Sequence, residues 1–159
     1  PQLAGGSLLD LGIYPVFLAV SLLGSPLEIK AAGQLSTSGV DLQATAILRY
    51  DNALVTLNSG IRGQSDMRAK ICGTAGTFFL EPVWHETQAY SWLNNSDGSL
   101  THYPRPTLGK GYSYEIMECM SCLQAGMLQS ENWSWENSRE VISILDEIRR
   151  QIGVMYPFE

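Results

Sequence analysis

The hydrophobic pattern divides the chain into three regimes. Residues 5–23 follow a Gly5-Gly6-Ser7 opening, are apolar at nearly every position and carry Asp10 as their one charge. They stop at Gly24, with Pro26 forbidding continuation, so they predict a helix buried in protein. Beyond residue 27 the pattern shortens: Leu27, Ile29 and Ala31, then Ala44, Ala46 and Leu48, then Leu54, Val55, Leu57 and Ile61 are separated by turn residues at short intervals, as strands require. Asp51-Asn52, between residues 44–50 and 53–61, reads as a tight hairpin turn because both residue types tolerate positive φ and bond their own backbone. Residues 67–72 and 77–80 form another strand pair across Gly73-Thr74-Ala75-Gly76, and short strands at 89–93 and 100–103 flank the polar turn Asn94-Asn95-Ser96-Asp97-Gly98. Two helices close the chain, at 113–125 and 135–151; the second places Val141, Ile142, Ile144, Leu145 and Ile148 on one face and has Ser134 as its cap. Helix, strands, then two helices predict an α+β fold, a mostly antiparallel open β-sheet with helices packed on one face. The 159 residues read as one unit.

Composition narrows the function. Hydrophobic residues make up 45% and charged residues 16%, against about 25% charged in an ordinary globular protein. That excludes disorder and coiled coil and points to surface covered by a partner. With 10 Lys+Arg against 16 Asp+Glu and no basic run, nucleic acid is not an expected partner. The longest apolar segment, 8–23, is interrupted by Asp10, Gly12, Tyr14, Pro15 and Ser21 and is too short to span a bilayer, so no membrane association is expected. Three cysteines do not make a disulfide framework and suggest a reducing, cytoplasmic setting. The start at Pro1, without a signal peptide pattern, suggests a chain that begins inside a longer polypeptide.

Few constellations can carry chemistry. Asp10 and Tyr14 stand four apart, which puts a carboxylate and a phenol on one helix face. A phenol titrates near pH 10 and needs a nearby cation to act as a base near neutrality. The same pair also reads as a first-turn acid favourable to the helix dipole and an amphipathic packing residue. Cys119 and Cys122 lie inside a predicted helix, where small packing residues are the simpler reading than a redox dithiol. His85 and His102 lack Cys or carboxylate partners at ligand spacing, so no metal site is expected. Gly73 and Gly76 join strand to strand rather than strand to helix and are turn glycines, not a phosphate cradle. Trp84, Tyr90, Trp92, Trp133 and Trp135 suit either a sugar or ring pocket or the core, with Trp84 set apart beside Pro82 and His85.

Taken together, Ala4-Gly5-Gly6-Ser7-Leu8-Leu9-Asp10-Leu11-Gly12-Ile13-Tyr14-Pro15 resembles the start of the C-terminal domain of the Gfo/Idh/MocA family of NAD(P)-dependent oxidoreductases. Ile71-Cys72-Gly73-Thr74-Ala75-Gly76 resembles that family's strand-turn-strand, Gly111-Tyr112-Ser113-Tyr114-Glu115 its loop into the next helix, and residues 144–150 with Gly153-Val154-Met155-Tyr156-Pro157-Phe158 its closing helix and tail. Tyr rather than His four residues after the Asp is most similar to the branch containing dimeric dihydrodiol dehydrogenase.

The resemblance implies that residues 1–159 are the C-terminal substrate-binding and dimerisation domain of a two-domain enzyme, inactive alone. NAD or NADP would be bound mainly by an N-terminal Rossmann domain absent from this chain, as is the family's Glu-Lys-Pro motif with its catalytic lysine. It also implies a catalytic acid/base at Tyr14, an orienting carboxylate at Asp10, substrate contact at Trp84, a sugar, polyol or cyclic diol as substrate, and a homodimer through the sheet face. The competing expectation is a non-catalytic dimerisation or ligand-binding module derived from the same family.

Overall fold

The computed structural model describes residues 4–109 and 111–157, so Phe158, the end of the tail motif, lies outside the described residues. The chain forms two compact units, Pro1–Gly63 with Glu131–Glu159, and Gln64–Ser130.

In the first unit three antiparallel strands, β1 (Glu28–Leu35), β2 (Asp41–Arg49) and β3 (Leu54–Gly60), pair in the order β1-β2-β3. Period-two alternation sorts their side chains. Ala44, Ala46 and Leu48 of β2 and Leu57 of β3 are buried, while Thr45, Ile47 and Arg49 point to the opposite face beside their register partners Asn58, Lys30 and Glu28. On that opposite face Thr45 donates to Asn58 over 2.7 Å, and Arg49 and Lys30 both pair with Glu28. The buried face is covered by α1 (Ile13–Leu23), through Val16, Ala19 and Val20, and by α3 (Trp135–Ile152), through Val141, Ile144, Leu145 and Ile148. Helices on one face of an antiparallel sheet are what the pattern predicts.

The termini of α3 follow from local chemistry. Ser134 Oγ accepts from Asn137 N–H, and Asn137 Oδ1 accepts from Ser134 N–H, so two of the orphan donors at the helix start are satisfied reciprocally. Gly153, at φ 82°, ends the helix.

In the second unit β4 (Ala69–Cys72), β5 (Gly76–Leu80), β6 (Ala89–Asn94) and β7 (Leu100–Pro104) form an antiparallel meander, with one 3₁₀ turn at Trp84–Glu86 between β5 and β6. The helix α2 (Tyr112–Gln124) buries none of its residues.

Four details depart from the sequence pattern. The strands divide into two sheets rather than one open sheet, because the polar stretch Arg62-Gly63-Gln64-Ser65-Asp66 is exposed and outside any strand. The Asp51-Asn52 turn is present, closed by Tyr50 N–H donating to Ala53 C=O over 2.9 Å, yet neither residue has the positive φ expected of it. Gly76 is required by close approach rather than by the turn: a Cβ there would stand 2.3 Å from Leu93 O and 2.4 Å from the Trp92 ring. Finally, the first helix begins at Leu8, with a π-helical turn, Leu8–Gly12, preceding α1.

Candidate functional site

The residues leading into the first helix are held in a conformation that only glycine tolerates well. Ala4, Gly5 and Gly6 have φ of 63°, 113° and 112°. At Gly6 there is also no room for a side chain, since a Cβ would lie 2.0 Å from Asp41 Oδ1. Asp41 opens β2 and is 1% exposed. Its Oδ2 accepts from Leu8 N–H and from Ser7 Oγ, each over 2.7 Å. Having given its single proton to Asp41, the Ser7 hydroxyl accepts from Ser59 Oγ of β3 at 3.0 Å. The positive end of the helix is thus satisfied by a carboxylate from the sheet. Tyr156 adds a tether by donating to Gly5 C=O over 2.9 Å, and its ring lies under the Arg149 guanidinium at 4.9 Å.

From this anchored start the helix carries a carboxylate and a phenol outward. Leu8, Gly12, Val16, Ala19 and Val20 face the core, and Gly12 lets the helix approach β3, for a Cβ there would lie 2.8 Å from Leu8 Cδ1 and 3.3 Å from Ser59 Oγ. Asp10, in the π-helical turn, is exposed, and Tyr14, in the first turn of α1, is 41% exposed. The structure therefore places both groups where a small molecule can reach them, about one turn apart on one helical stretch. Asp10 is the only charge in that stretch, and Lys30 is the first basic residue in the sequence, so the helix itself carries no cation.

The other candidates separate. Trp84 sits half-buried in the second unit, its backbone N–H donating to Met67 C=O over 3.0 Å and its ring edge-on to His85 at 5.6 Å. Tyr90 and Trp92 join Phe78 on one face of the second sheet, where Tyr90 also stacks on Tyr103 at 5.0 Å. Trp133 packs on Phe17 of α1 at 4.4 Å, and Trp135 is exposed, so the aromatics do not converge on one pocket within either unit. His102 does not meet a metal ligand set: Ser91 donates to Glu81 at 3.1 Å and lies 3.2 Å from His102 Nδ1. Among the described residues no group of three or more His, Cys, Asp or Glu could hold a metal ion. Cys72 and Cys119 are exposed, and Cys122 is half-buried with its thiol donating to Glu118 Oε1 over 3.8 Å.

Nor do the described residues form a cradle for a dinucleotide. Gly73 N–H donates to Gly76 C=O across a strand-to-strand turn, and the glycine-flanked helix start is filled by Asp41 instead of a phosphate. The residue that sequence reasoning missed is Asp41. Its partners stand more than thirty positions away, and an acid after Ser38-Gly39-Val40 reads locally as a solvent-facing strand start.

The fold is an antiparallel α+β domain seen as half of solved oxidoreductase structures. A 3-ketoreductase from Actinomadura kijaniata superposes with a TM-score of 0.78 at 21% identity, over 98% of this chain and 50% of that one. The model of the GFO/IDH/MocA C-terminal domain matches residues 1–79. Over residues 1–79, about its first half, the chain belongs to the C-terminal domain of the Gfo/Idh/MocA family. It is 33% identical over 157 residues to scyllo-inositol 2-dehydrogenase (NADP(+)) of Bacillus subtilis, covering 99% of this chain and 47% of that protein. It is 34% identical over 163 residues to trans-1,2-dihydrobenzene-1,2-diol dehydrogenase of Xenopus tropicalis, covering 98% and 49% respectively. The chain spans about half the length of the curated relatives it matches.

Proposed function

We propose that this chain is the substrate-side, dimerising C-terminal domain of an NAD(P)-dependent dehydrogenase that oxidises a hydroxyl of a cyclic polyol or diol, sugars being the broader class. The observation that carries the reading is the similarity of nearly this whole chain to about half of each of two dehydrogenases whose named substrates, an inositol and a dihydrodiol, share a six-carbon ring with neighbouring hydroxyls. The anchored helix with Asp10 and Tyr14 turned outward supports it. The nicotinamide supplies hydride acceptance and is assigned to the rest of the polypeptide.

What this chain contributes is the proton and the orientation. Oxidising a carbinol requires removal of the hydroxyl proton, and Tyr14 as phenolate takes it through a hydrogen bond of about 3 Å. Reduction returns the proton from Tyr14 as acid. Asp10, one turn earlier, accepts a hydrogen bond from a neighbouring substrate hydroxyl or from the phenol and so fixes which hydroxyl faces Tyr14. Trp84 is assigned an apolar ring contact to the substrate. In the full-length polypeptide Tyr14→Phe should lower turnover at least about a hundredfold while dinucleotide binding persists, the scale of a lost acid/base group. Near-normal turnover would remove Tyr14 from the reaction.

A homodimer through the face of the second sheet belongs to the same reading. Phe78 is 38% exposed there, beside half-buried Tyr90, Trp92 and Tyr103, an aromatic surface of the kind enriched at interfaces. Light scattering at micromolar concentration should give twice the monomer mass; a strict monomer would refute the interface. Three cysteines outside any disulfide favour a reducing cytoplasmic setting. Among the described residues no helix is long and apolar enough to cross a membrane.

A further inference from the structure

We infer that Asp41 is a positioning residue for Tyr14, a role that rests on the reading of Tyr14 as the proton-transfer group. An ordinary helix start is capped by the Ser, Thr, Asp or Asn that immediately precedes it. Here the local candidate, Ser7, makes no capping bond of its own and instead donates its proton to a carboxylate delivered from β2, 34 residues away. That carboxylate is 1% exposed, and burying an acid is costly unless its oxygens are well served. Asp41 Oδ2 meets that condition with two donors at 2.7 Å, Leu8 N–H and Ser7 Oγ. The consequence is mechanical: the first residue of the helical stretch is fixed to the sheet, and through Ser59 to a second strand.

Tyr14 lies six residues beyond that fixed point, at most about 9 Å along the helix, the span that about 1.5 Å per residue would give in a regular α-helix. The intervening Leu8–Gly12 turn is π-helical, a geometry that elsewhere frequently marks functional sites. A helix start released from the sheet would shift or tilt, and the displacement would reach the phenol. Displacements near 1 Å cost about a hundredfold in rate when reacting groups must be aligned. Asp41 is too deeply buried to touch substrate, so its influence on rate would pass through the helix.

The test uses the full-length polypeptide, purified with its dinucleotide, turning over a cyclic diol or inositol. Asp41→Ala should lower kcat about ten- to a hundredfold with KM changed less than about threefold. Asp41→Asn, whose single amide oxygen can accept from both Leu8 and Ser7, should restore most of that loss. Combined with Tyr14→Phe, Asp41→Ala should add less than about threefold, because a residue acting through Tyr14 has nothing left to position. The full Asp41→Ala loss repeated on the Tyr14→Phe background would overturn the inference, since it would then report on folding or binding alone. Should Asp41→Ala fail to fold, Ser59→Ala asks the same question more gently, with a kcat loss of about threefold expected, again absent on the Tyr14→Phe background; an unchanged kcat overturns the role. Wild-type turnover in Tyr14→Phe sinks the site reading itself, whereas a large Tyr14→Phe loss beside an inert Asp41→Ala sinks only the positioning role.

Discussion

Gly5 and Gly6 provide an internal comparison that isolates the grip of Asp41 on the first helix. Both have positive φ, 113° and 112°, so replacing either by Ala incurs a similar backbone strain of about 1–3 kcal/mol. They differ in what the new methyl meets. At Gly5 the nearest atom is Val40 Cγ1 at 3.9 Å, an ordinary contact, whereas at Gly6 it is Asp41 Oδ1 at 2.0 Å, which forces the carboxylate away. Its displacement leaves Leu8 N–H and the Ser7 hydroxyl buried without their acceptor, at about 1–3 kcal/mol each. Gly6→Ala should therefore destabilise by about 2–6 kcal/mol more than Gly5→Ala, a large share of the ~5–15 kcal/mol that holds a domain together. Urea unfolding of the two variants, followed by tryptophan fluorescence, measures the difference directly. Equal midpoints and equal slopes would refute the claim that Asp41 is held in place by these bonds.

A similar contrast applies to the second sheet. Gly76→Ala drives a methyl into Leu93 O and the Trp92 ring and should cost about 1–3 kcal/mol, while Gly73→Ala, whose nearest contact is Gly76 O at 3.7 Å and whose φ is not positive, should change stability by less than about 0.5 kcal/mol; comparable unfolding midpoints would contradict the packing. Glu147 accepts from Arg150 and Gln151, which hold its carboxyl down at about 2 against an ordinary 4.5. A group depressed on folding stabilises above its unfolded value and loses that stabilisation as pH falls through its folded one. The Tm gap between the native chain and Glu147→Gln should therefore be steady above pH 5 and close between about pH 4.5 and 2, to a degree that salt reduces because the pair is exposed; a gap that stays constant down to pH 2 would refute it.

Much of the fold is legible because it rests on local chemistry. The 3.6-residue stripe of Val141, Ile144, Leu145 and Ile148, the Ser134 cap and Gly153 delimit α3 within a residue or two, and the alternation of Ala44, Ala46 and Leu48 identifies both the strand and its buried face. What is hidden depends on partners distant in sequence. Nothing near Asp41 announces that it closes the start of a helix 33 residues earlier, and nothing in Leu8-Leu9-Asp10-Leu11-Gly12 distinguishes a π-helical turn from an α-helical one. Gly76 reads as a turn glycine because the Trp92 ring that excludes a side chain belongs to another strand. The helix expected at 113–125 is present as α2, but it leaves its apolar residues Ile116, Met117, Met120 and Leu123 exposed. At the site, Asp10 and Tyr14 are both exposed on the first helical stretch and Trp84 lies in the other unit, and the roles of all three rest on the proposal alone.

The central claim is that this domain supplies the proton-transfer side of a nicotinamide-dependent dehydrogenase. It is tested most directly by following cofactor reduction by the full-length polypeptide against aldoses, inositols and cyclic trans-diols, beside the isolated 159-residue chain and the Tyr14→Phe variant. The account predicts turnover of at least one ring-bearing diol or polyol by the full-length protein, none by the isolated chain, and a loss of about a hundredfold in Tyr14→Phe with the nucleotide still bound. Silence across the panel with the nucleotide bound, or undiminished turnover in Tyr14→Phe, would contradict it and favour the non-catalytic module.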